Sequence, residues 1–232
     1  MQEPILHFYN KLGISTAEIQ EIVCGKKYVA VLLKNGNIGV CATLLKEVDV
    51  TIPDLKNFDA TSTSHRVVAT AYFNALLNYD HQFEKQIDIF DEIDFNLYRN
   101  IVMIGYFGSL TEKFKNASIN LSVFDLKNNS HHLVDIQKQK EFLAKADVVI
   151  LTSTSVLNNT FLDIVNSTSK NCKIFTLGPS TILHSDMFKY KNIHTIFGSV
   201  FEKNDSELPE IIRNGGGTKR FLHLMRKVCF ED

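Results

Sequence analysis

Apolar residues follow one rule in the first part of the chain and another in the second. Ile5, Leu6, Phe8, Tyr9 and Leu12, then Ile19, Ile22 and Val23, recur at helical spacing. Residues 5–23 therefore predict helix, with Ser15 or Thr16 able to cap its second piece. Residues 27–34 and 37–43 read as two strands around Asn35-Gly36, a pair favoured by a type I′ hairpin turn. Residues 49–58, with Pro53, read as loop, after which Ser64 can cap a helix carrying Val67, Val68, Ala71, Leu76 and Leu77. A helix lying on a hairpin makes a small α+β unit. Ile87, Ile89, Phe90 and Ile93 predict a short bridging helix behind it.

From Asn100 the grammar changes: 101–105 is a buried-strand run without polar alternation, as strands buried on both faces are, and 119–124, 148–151 and 173–177 are read as strands of the same style. Helical intervals at about 109–117, 137–145 and 156–167 separate them. Strands and helices alternating at this spacing imply right-handed crossovers and a doubly wound, Rossmann-like parallel sheet. A weaker fifth strand is expected at 194–198, with helices near 205–213 and 218–229. The expected division is an α+β unit over 1–95 and an α/β unit over 96–232.

Composition narrows the function classes. Twenty-five basic against 26 acidic side chains leave a formal charge of -1, so no basic field draws in nucleic acid, which is disfavoured as a partner. The longest apolar runs, such as 29–33, are too short to span a bilayer, and Met1-Gln2-Glu3-Pro4 lacks the plan of a signal peptide. A cytoplasmic protein is expected. Cys24, Cys41, Cys172 and Cys229 lie far apart with no C-x-x-C, and read as reduced, mostly buried thiols. His131-His132 are adjacent, so their side chains diverge, while His65, His184 and His194 could meet only through the fold. Asp91-Glu92 and Glu231-Asp232 read as solvated surface charge.

Four loops carry candidate chemistry. Gly105-Tyr106-Phe107-Gly108 leads from a strand into a helix without satisfying G-x-G-x-x-G; it is either a tight turn or a close backbone approach to a ligand. Asp125, ending the next strand, stands where dinucleotide folds hold a ribose, but without the glycine fingerprint a nicotinamide dinucleotide is disfavoured. Residues 152–160 gather five hydroxyls and two carboxamides at a strand-to-helix transition, more than capping by Thr160-x-x-Asp163 requires. Thr152, Asn158 and Thr160 are accordingly candidate ligand contacts. Gly178-Pro179-Ser180-Thr181 follows another strand and would present Ser180 and Thr181 over the sheet edge, with no G-x-S-x-G to make either serine or threonine a nucleophile. Gly215-Gly216-Gly217 is either a hinge or a backbone that clears a ligand.

These motifs, in this order, resemble the putative heavy-metal chelation domain family. The likeness runs through Gly105-Tyr106-Phe107, the 146–152 segment leading to Asn158-x-Thr160, Leu177-Gly178-Pro179-Ser180-Thr181, Gly198, and Gly215-Gly216-Gly217-Thr218 before Phe221. The first half looks like that family's partner domain, of enolase N-terminal-like fold, through Gly25 to Tyr28, Gly39-x-x-Ala42 and Ala71-x-x-Asn74-Ala75-x-x-Asn78. Two departures stand out: Ser153 and Asn159 occupy positions where the family carries glycine, which should narrow the pocket.

The resemblance implies an α/β protein, a Rossmann-like parallel-sheet domain preceded by a small enolase N-terminal-like α+β domain, with a small-molecule site in the cleft between them. It implies condensation or hydrolysis of pterin-, flavin- or siderophore-like chelators, with a metal ion or metal chelate as the cofactor. Ligand contacts are expected from Gly105, Phe107, Thr152, Asn158, Thr160, Gly178, Pro179, Ser180, Thr181, Gly215 and Gly216. No general base stands out; Asp125 and Glu47 are the candidates. The alternatives are a non-catalytic protein that binds or delivers a metal chelate, and a methyltransferase-like enzyme using S-adenosylmethionine. A homodimer is among the assemblies the sequence leaves open.

Overall fold

The computed structural model describes residues 1–83, 86–126 and 133–231, and in these the strands form two sheets. The first is antiparallel, in the order β1 (Ile19–Cys24), β2 (Tyr28–Leu33), β3 (Ile38–Ala42). Helix α1 (Pro4–Leu12) starts with proline in its first turn and stops at Gly13, whose φ of 67° only glycine adopts freely. The helical reading of residues 15–23 is therefore corrected: β-branched Ile19, Ile22 and Val23 belong to β1 and pair with β2, and Ile19 and Val23 are buried there.

The hairpin joining β2 and β3 forms where expected, but its turn differs. Gly36 alone has positive φ; Gly36 N–H donates to Leu33 O and Leu33 N–H to Asn37 O. That is a type I turn closed by a glycine bulge, not type I′, which needs positive φ at Asn35 too.

Helix α2 (Thr63–Leu77) is capped by Ser62, two residues before the expected Ser64, through a bond from His65 N–H. It is buried on nearly every side. A side chain at Gly39 would bring a Cβ within 2.1 Å of Ala71 O, so the glycine is what lets the helix lie directly on β3. Asn74 Nδ2 donates to Val40 O (2.9 Å) and Asn37 Nδ2 to Ala75 O (3.0 Å), fixing the helix on the strand.

Helices α3 (Ile89–Glu92), α4 (Gly108–Asn116), α5 (Gln139–Lys145) and α6 (Phe161–Ser167) alternate with the strands of the second sheet. Its order is β5 (Ser122–Phe124), β4 (Ile101–Ile104), β6 (Val148–Thr152), β7 (Lys173–Leu177), β8 (Ile193–Val200), β9 (Arg226–Glu231). The pairings from β5 through β8 are parallel, the doubly wound arrangement the alternation predicts. Two details depart from expectation. Strand β8 is long and deeply buried, with only His194 exposed. The helix expected at 218–229 ends as α8 (Thr218–Phe221) and one 3-10 turn; the chain then pairs antiparallel with β8 as β9, burying Val228 and covering an edge that a parallel sheet would leave open.

Helix α7 (Glu207–Arg213) and α8 cross back to the first sheet. Leu208, Ile212, Phe221 and Met225 pack with Val23, Ala30, Ile38 and Val40, so that sheet is sandwiched between α2 and α7–α8. The largest apolar cluster also joins both halves, placing Phe8, Val67 and Phe73 in one core with Val149, Leu151, Phe161 and Leu183.

Polar tethers fix the two sheets together. Arg66, 5% exposed, donates to Glu3 (2.5 and 3.2 Å), Ala60 O (3.2 Å), Leu157 O (2.9 Å) and Val156 O. Asp186 accepts from His7 (2.8 Å), Lys11 (2.6 Å) and Lys189 (2.7 Å), anchoring α1 to the turn after β7. Asp88 caps α3 and pairs with Lys113 (2.9 Å) and Lys227 (2.7 Å).

Arg66→Met should lower unfolding free energy by roughly 3–5 kcal/mol in urea titrations, since it strands the Glu3 carboxylate and three carbonyls. Asp88 gives a pH signature. Burial raises its pKa, but hydrogen bonds from Lys227 and Lys113 outweigh that and hold it at about 2. Its contribution is thus full above an unfolded carboxyl's pKa of about 4 and lost as pH falls toward about 2. Asp88→Asn should flatten this part of the stability–pH curve; an unchanged slope would discount the pair.

Candidate functional site

Strand order reverses at β4, because β5 lies to one side of it and β6 to the other. The crevice at such a switch point, outside the strands' carboxyl ends, is where doubly wound sheets bind ligands. Here it lies between the loops following Ile104 and Thr152.

Those loops touch. Gly105 has φ 89°, its N–H donates to Phe124 O (2.8 Å), and a Cβ on it would lie 2.7 Å from Thr152 Cβ. Phe107 stands at the cap position of α4 and its side chain makes no bond to the first turn. Tyr106, 45% exposed, rims the same loop. Asp125 Oδ2 accepts from Tyr106 N–H (2.8 Å), so the residue expected to meet a ribose positions the loop.

The hydroxyl-rich stretch after β6 separates into two sets. Thr152 and Thr154 share a hydroxyl contact (3.0 Å) and are half-buried. Asn158 Oδ1 accepts from both the N–H (3.2 Å) and hydroxyl (2.6 Å) of Thr160, around Asn159 at φ 60°. Asparagine tolerates that left-handed backbone better than most residues, which accounts for its fit where the resemblance expects glycine. Thr160 caps α6 without a side-chain bond, so the expected capping box with Asp163 does not form: Asn158 already takes the hydroxyl.

The other set faces inward. Ser153 Oγ donates to Leu177 O (3.0 Å) and meets the Thr181 hydroxyl, which also donates to Gly178 O (2.8 Å). Ala42 N–H, at the end of β3, donates to Ser180 Oγ (3.0 Å). Asn78 at the end of α2 donates to Thr181 O (2.9 Å) and accepts from Leu183 N–H (2.8 Å). Ser180 and Thr181 are consequently 4% and 2% exposed, not displayed over the sheet edge as the turn chemistry alone led one to expect. The cavity they line with Ser153 and Thr176 measures about 10 Å³, room for one water, and Thr176 Oγ1 has no hydrogen-bond partner among the described residues.

Gly178 (φ 132°) and Pro179 are half-buried beside this cluster, with Ser153 Oγ 3.7 Å from where a Gly178 Cβ would be. Contacts thus join Gly105, Thr152, Ser153, Gly178, Ser180 and Ala42 in a row. Gly215 and Gly216 sit one layer away: Gly215 lies against Lys26 and Gly216 against Ile211, while Lys26 O and Lys27 O bond Thr43. Gly215 supplies a left-handed backbone (φ 71°), and Gly216 lets the chain lie directly against Ile211 of α7. Glu47 is exposed on the loop that Ser64 Oγ holds by its backbone carbonyl.

The described residues do not fit a resident metal. Among the described residues no three His, Cys, Asp or Glu side chains converge to hold an ion. His65 accepts from Asp59 N–H, His184 from Asp186 N–H, and His194 contacts Thr195, three separate neighbourhoods. Burial raises the Cys41 thiol pKa strongly and lifts Cys172 to about 12 and Cys229 to about 11, which opposes the thiolate a metal needs. His131 and His132 lie outside the described residues. No described helix is long and apolar enough to cross a membrane.

Sequence reasoning missed Arg66 and Ala42, which hold the row from the first sheet's side. Arg66 carried a signal in retrospect: a lone arginine among Val67, Val68 and Ala69 on an apolar helix must find partners when buried.

Comparison with known proteins agrees with the motifs. A family model described as "Putative heavy-metal chelation" (DUF364) matches residues 88–230, and another of the same description (DUF4213) matches residues 9–77. A solved DUF364-family structure of unknown function from Pyrococcus horikoshii is similar at TM-score 0.81 and 20% identity, covering 98% of this chain and 100% of that one. Another, from Desulfitobacterium hafniense DCB-2, is similar at TM-score 0.75 and 17% identity, covering 98% of each chain. Identities this low carry the fold alone. No curated protein matches the chain.

Gly105→Ala should destabilise by about 1–3 kcal/mol, through its backbone conformation and the Thr152 contact together. Pairing it with Thr152→Gly in a double-mutant cycle should recover the contact part only. Additivity of the two changes in chemical denaturation would show that the loops do not touch.

Proposed function

We propose that this chain, which belongs to the family described as "Putative heavy-metal chelation", holds a polar, metal-chelating small molecule of pterin, flavin or siderophore type along the carboxyl ends of β4, β6 and β7. The observation that carries the reading is the contact of Gly105 with Thr152 at the switch point, beside the start of α4. The cavity beneath Ser180 is far too small for such a molecule, so the ligand lies on the open side of the row.

There, Gly105 and Phe107 bring backbone N–H groups close, while Thr152, Asn158 and Thr160 offer neutral donors and acceptors held in place by their mutual bonds. Gly178 and Pro179 form the next wall. Ser180 and Thr181 act from behind, fixing that wall to β3 and α2, and Gly215 and Gly216 lie one layer back, against Lys26 and Ile211. Any metal arrives within its chelator, because the described side chains offer no set of ligands of their own.

The same groups favour binding over catalysis. Asp125 is bound to the Gly105–Gly108 loop, where its Oδ2 accepts from Tyr106 N–H. A binder needs only shape and neutral contacts, whereas an enzyme needs a titratable group within reach of the bound ligand. S-adenosylmethionine would require its ribose to share Asp125 with that N–H.

Native mass spectrometry of the protein purified from its own cells tests the proposal. The expected result is a retained metabolite, with or without metal, whose affinity falls about tenfold in Asn158→Ala, or about 1.4 kcal/mol. A bare mass, together with no binding of riboflavin, a pterin or a ferric catecholate in calorimetry, would refute the reading. Binding of S-adenosylmethionine instead would move the protein to the methyltransferase class.

A further inference from the structure

The opposite edge of the large sheet carries a groove that the reading above does not use. At the amino-terminal ends of β4 and β5, beneath α5, a cleft of about 320 Å³ opens, the size of a small-molecule pocket. Its apolar lining comes from Ile101 and Val102 at the start of β4 and from Phe142 on α5, whose ring packs edge-on to Phe124.

Arg99, Asn100, Asn120 and Ser122, together with the Glu141 carboxylate and Lys145, supply the polar lining, and Arg99 and Asn120 are exposed. The backbone at Arg99 is fixed, because Asp147 Oδ2 accepts from the N–H of both Arg99 (3.0 Å) and Asn100 (2.9 Å). Its guanidinium, by contrast, makes no hydrogen bond or ion pair among the described residues, and neither do the side chains of Asn120 and Ser122. Lys145 also lines the cleft, paired with Glu141 (2.8 Å); both are more than half exposed, so the pair is weak and the ammonium can turn inward. The cleft thus combines apolar side chains, neutral donors and acceptors, and the Arg99 guanidinium, while its one carboxylate, Glu141, is paired with Lys145.

We propose that this groove is a second binding site, for a small carboxylate with a flat apolar body. The body would lie between Phe142 and the start of β4, and its carboxylate would take the planar fork of Arg99, the geometry in which guanidinium and carboxylate make two parallel bonds. Asn120 and Ser122 would meet polar substituents on the body's far edge. The site lies at the sheet end remote from Gly105 and Thr152, so it stands or falls independently of the ligand there.

The test is a titration of the ¹⁵N-labelled full chain with benzoate, phenyl phosphate and benzamide, followed by amide chemical shifts in the wild type and in Arg99→Gln. Benzoate should shift the amides of Ile101, Val102 and Phe142 saturably while those of Gly105 and Thr152 stay still. Arg99→Gln should weaken benzoate at least tenfold and bring it level with benzamide. Shifts that never saturate, or benzoate affinity unchanged by Arg99→Gln, would overturn the site. Tighter binding of phenyl phosphate than of benzoate would overturn its assignment to carboxylates.

Discussion

One buried cation holds the arrangement together. The Arg66 guanidinium satisfies both oxygens of Glu3 ahead of α1, the Ala60 carbonyl ahead of α2, and the Val156 and Leu157 carbonyls in the turn after β6. Carbonyls leaving the end of a buried strand have no ladder partner, and water does not reach these two. A hydrophobic residue in place of Arg66 could fill its volume but not meet those carbonyls. The α/β sheet therefore cannot settle against the first unit in a register that displaces Arg66 without leaving buried polar groups bare.

The arginine begins a series. Arg66, Thr70, Asn74 and Asn78 recur every four residues along α2, and all are buried. A step of four residues advances about 400°, so the series winds slowly round the helix rather than running straight. Each member meets a different neighbour: Arg66 the turn after β6, Asn74 the carbonyl of Val40 in β3, and Asn78 the segment after β7 and the carbonyl of Ser199 in β8. Thr70 bonds the backbone of its own helix. This helix is a spacer with polar contacts on several sides, which sets the distance between the small sheet and the carboxyl ends of the large one.

Much of this was legible in the chain. Continuous apolar runs such as 148–151 located parallel strands, because burial on both faces leaves no room for polar alternation. The failures occurred where local pattern and tertiary demand disagree. Ile19, Ile22 and Val23 fit a helical period, yet pairing with β2 decided for strand. Residues 218–229 fit a terminal helix, yet the open edge of β8 recruited the chain from Arg226 onward. Helical and extended readings of a short apolar run cannot be separated by spacing alone. At the carboxyl ends of the strands, the sequence located the polar loops but not the direction of their side chains: Ser180 and Thr181 were as polar on paper as Thr152 and Asn158. Only the approach of Ala42 and Asn78 from the other sheet determines that they point inward.

That partition explains why so many hydroxyls sit in one stretch. A loop that contacts a polar ligand must be polar on its outer side, but it must also pack its inner side against a second unit through backbone that has left the strand ladder. Serine and threonine meet both needs, since each hydroxyl donates once and accepts twice in little volume. Ser153, Ser180 and Thr181 use that capacity on carbonyls, an amide and one another, giving the row a rigid back. Asn158 and Thr160 use theirs on each other and remain half-buried at the front. A charged residue in the back row would need a partner that the 10 Å³ cavity has no room to supply, and an apolar one would leave Leu177 O or Ala42 N–H unmet. The neutral character of the front thus follows from the same constraint as that of the back, and it suits a ligand that brings its own charge and its own metal.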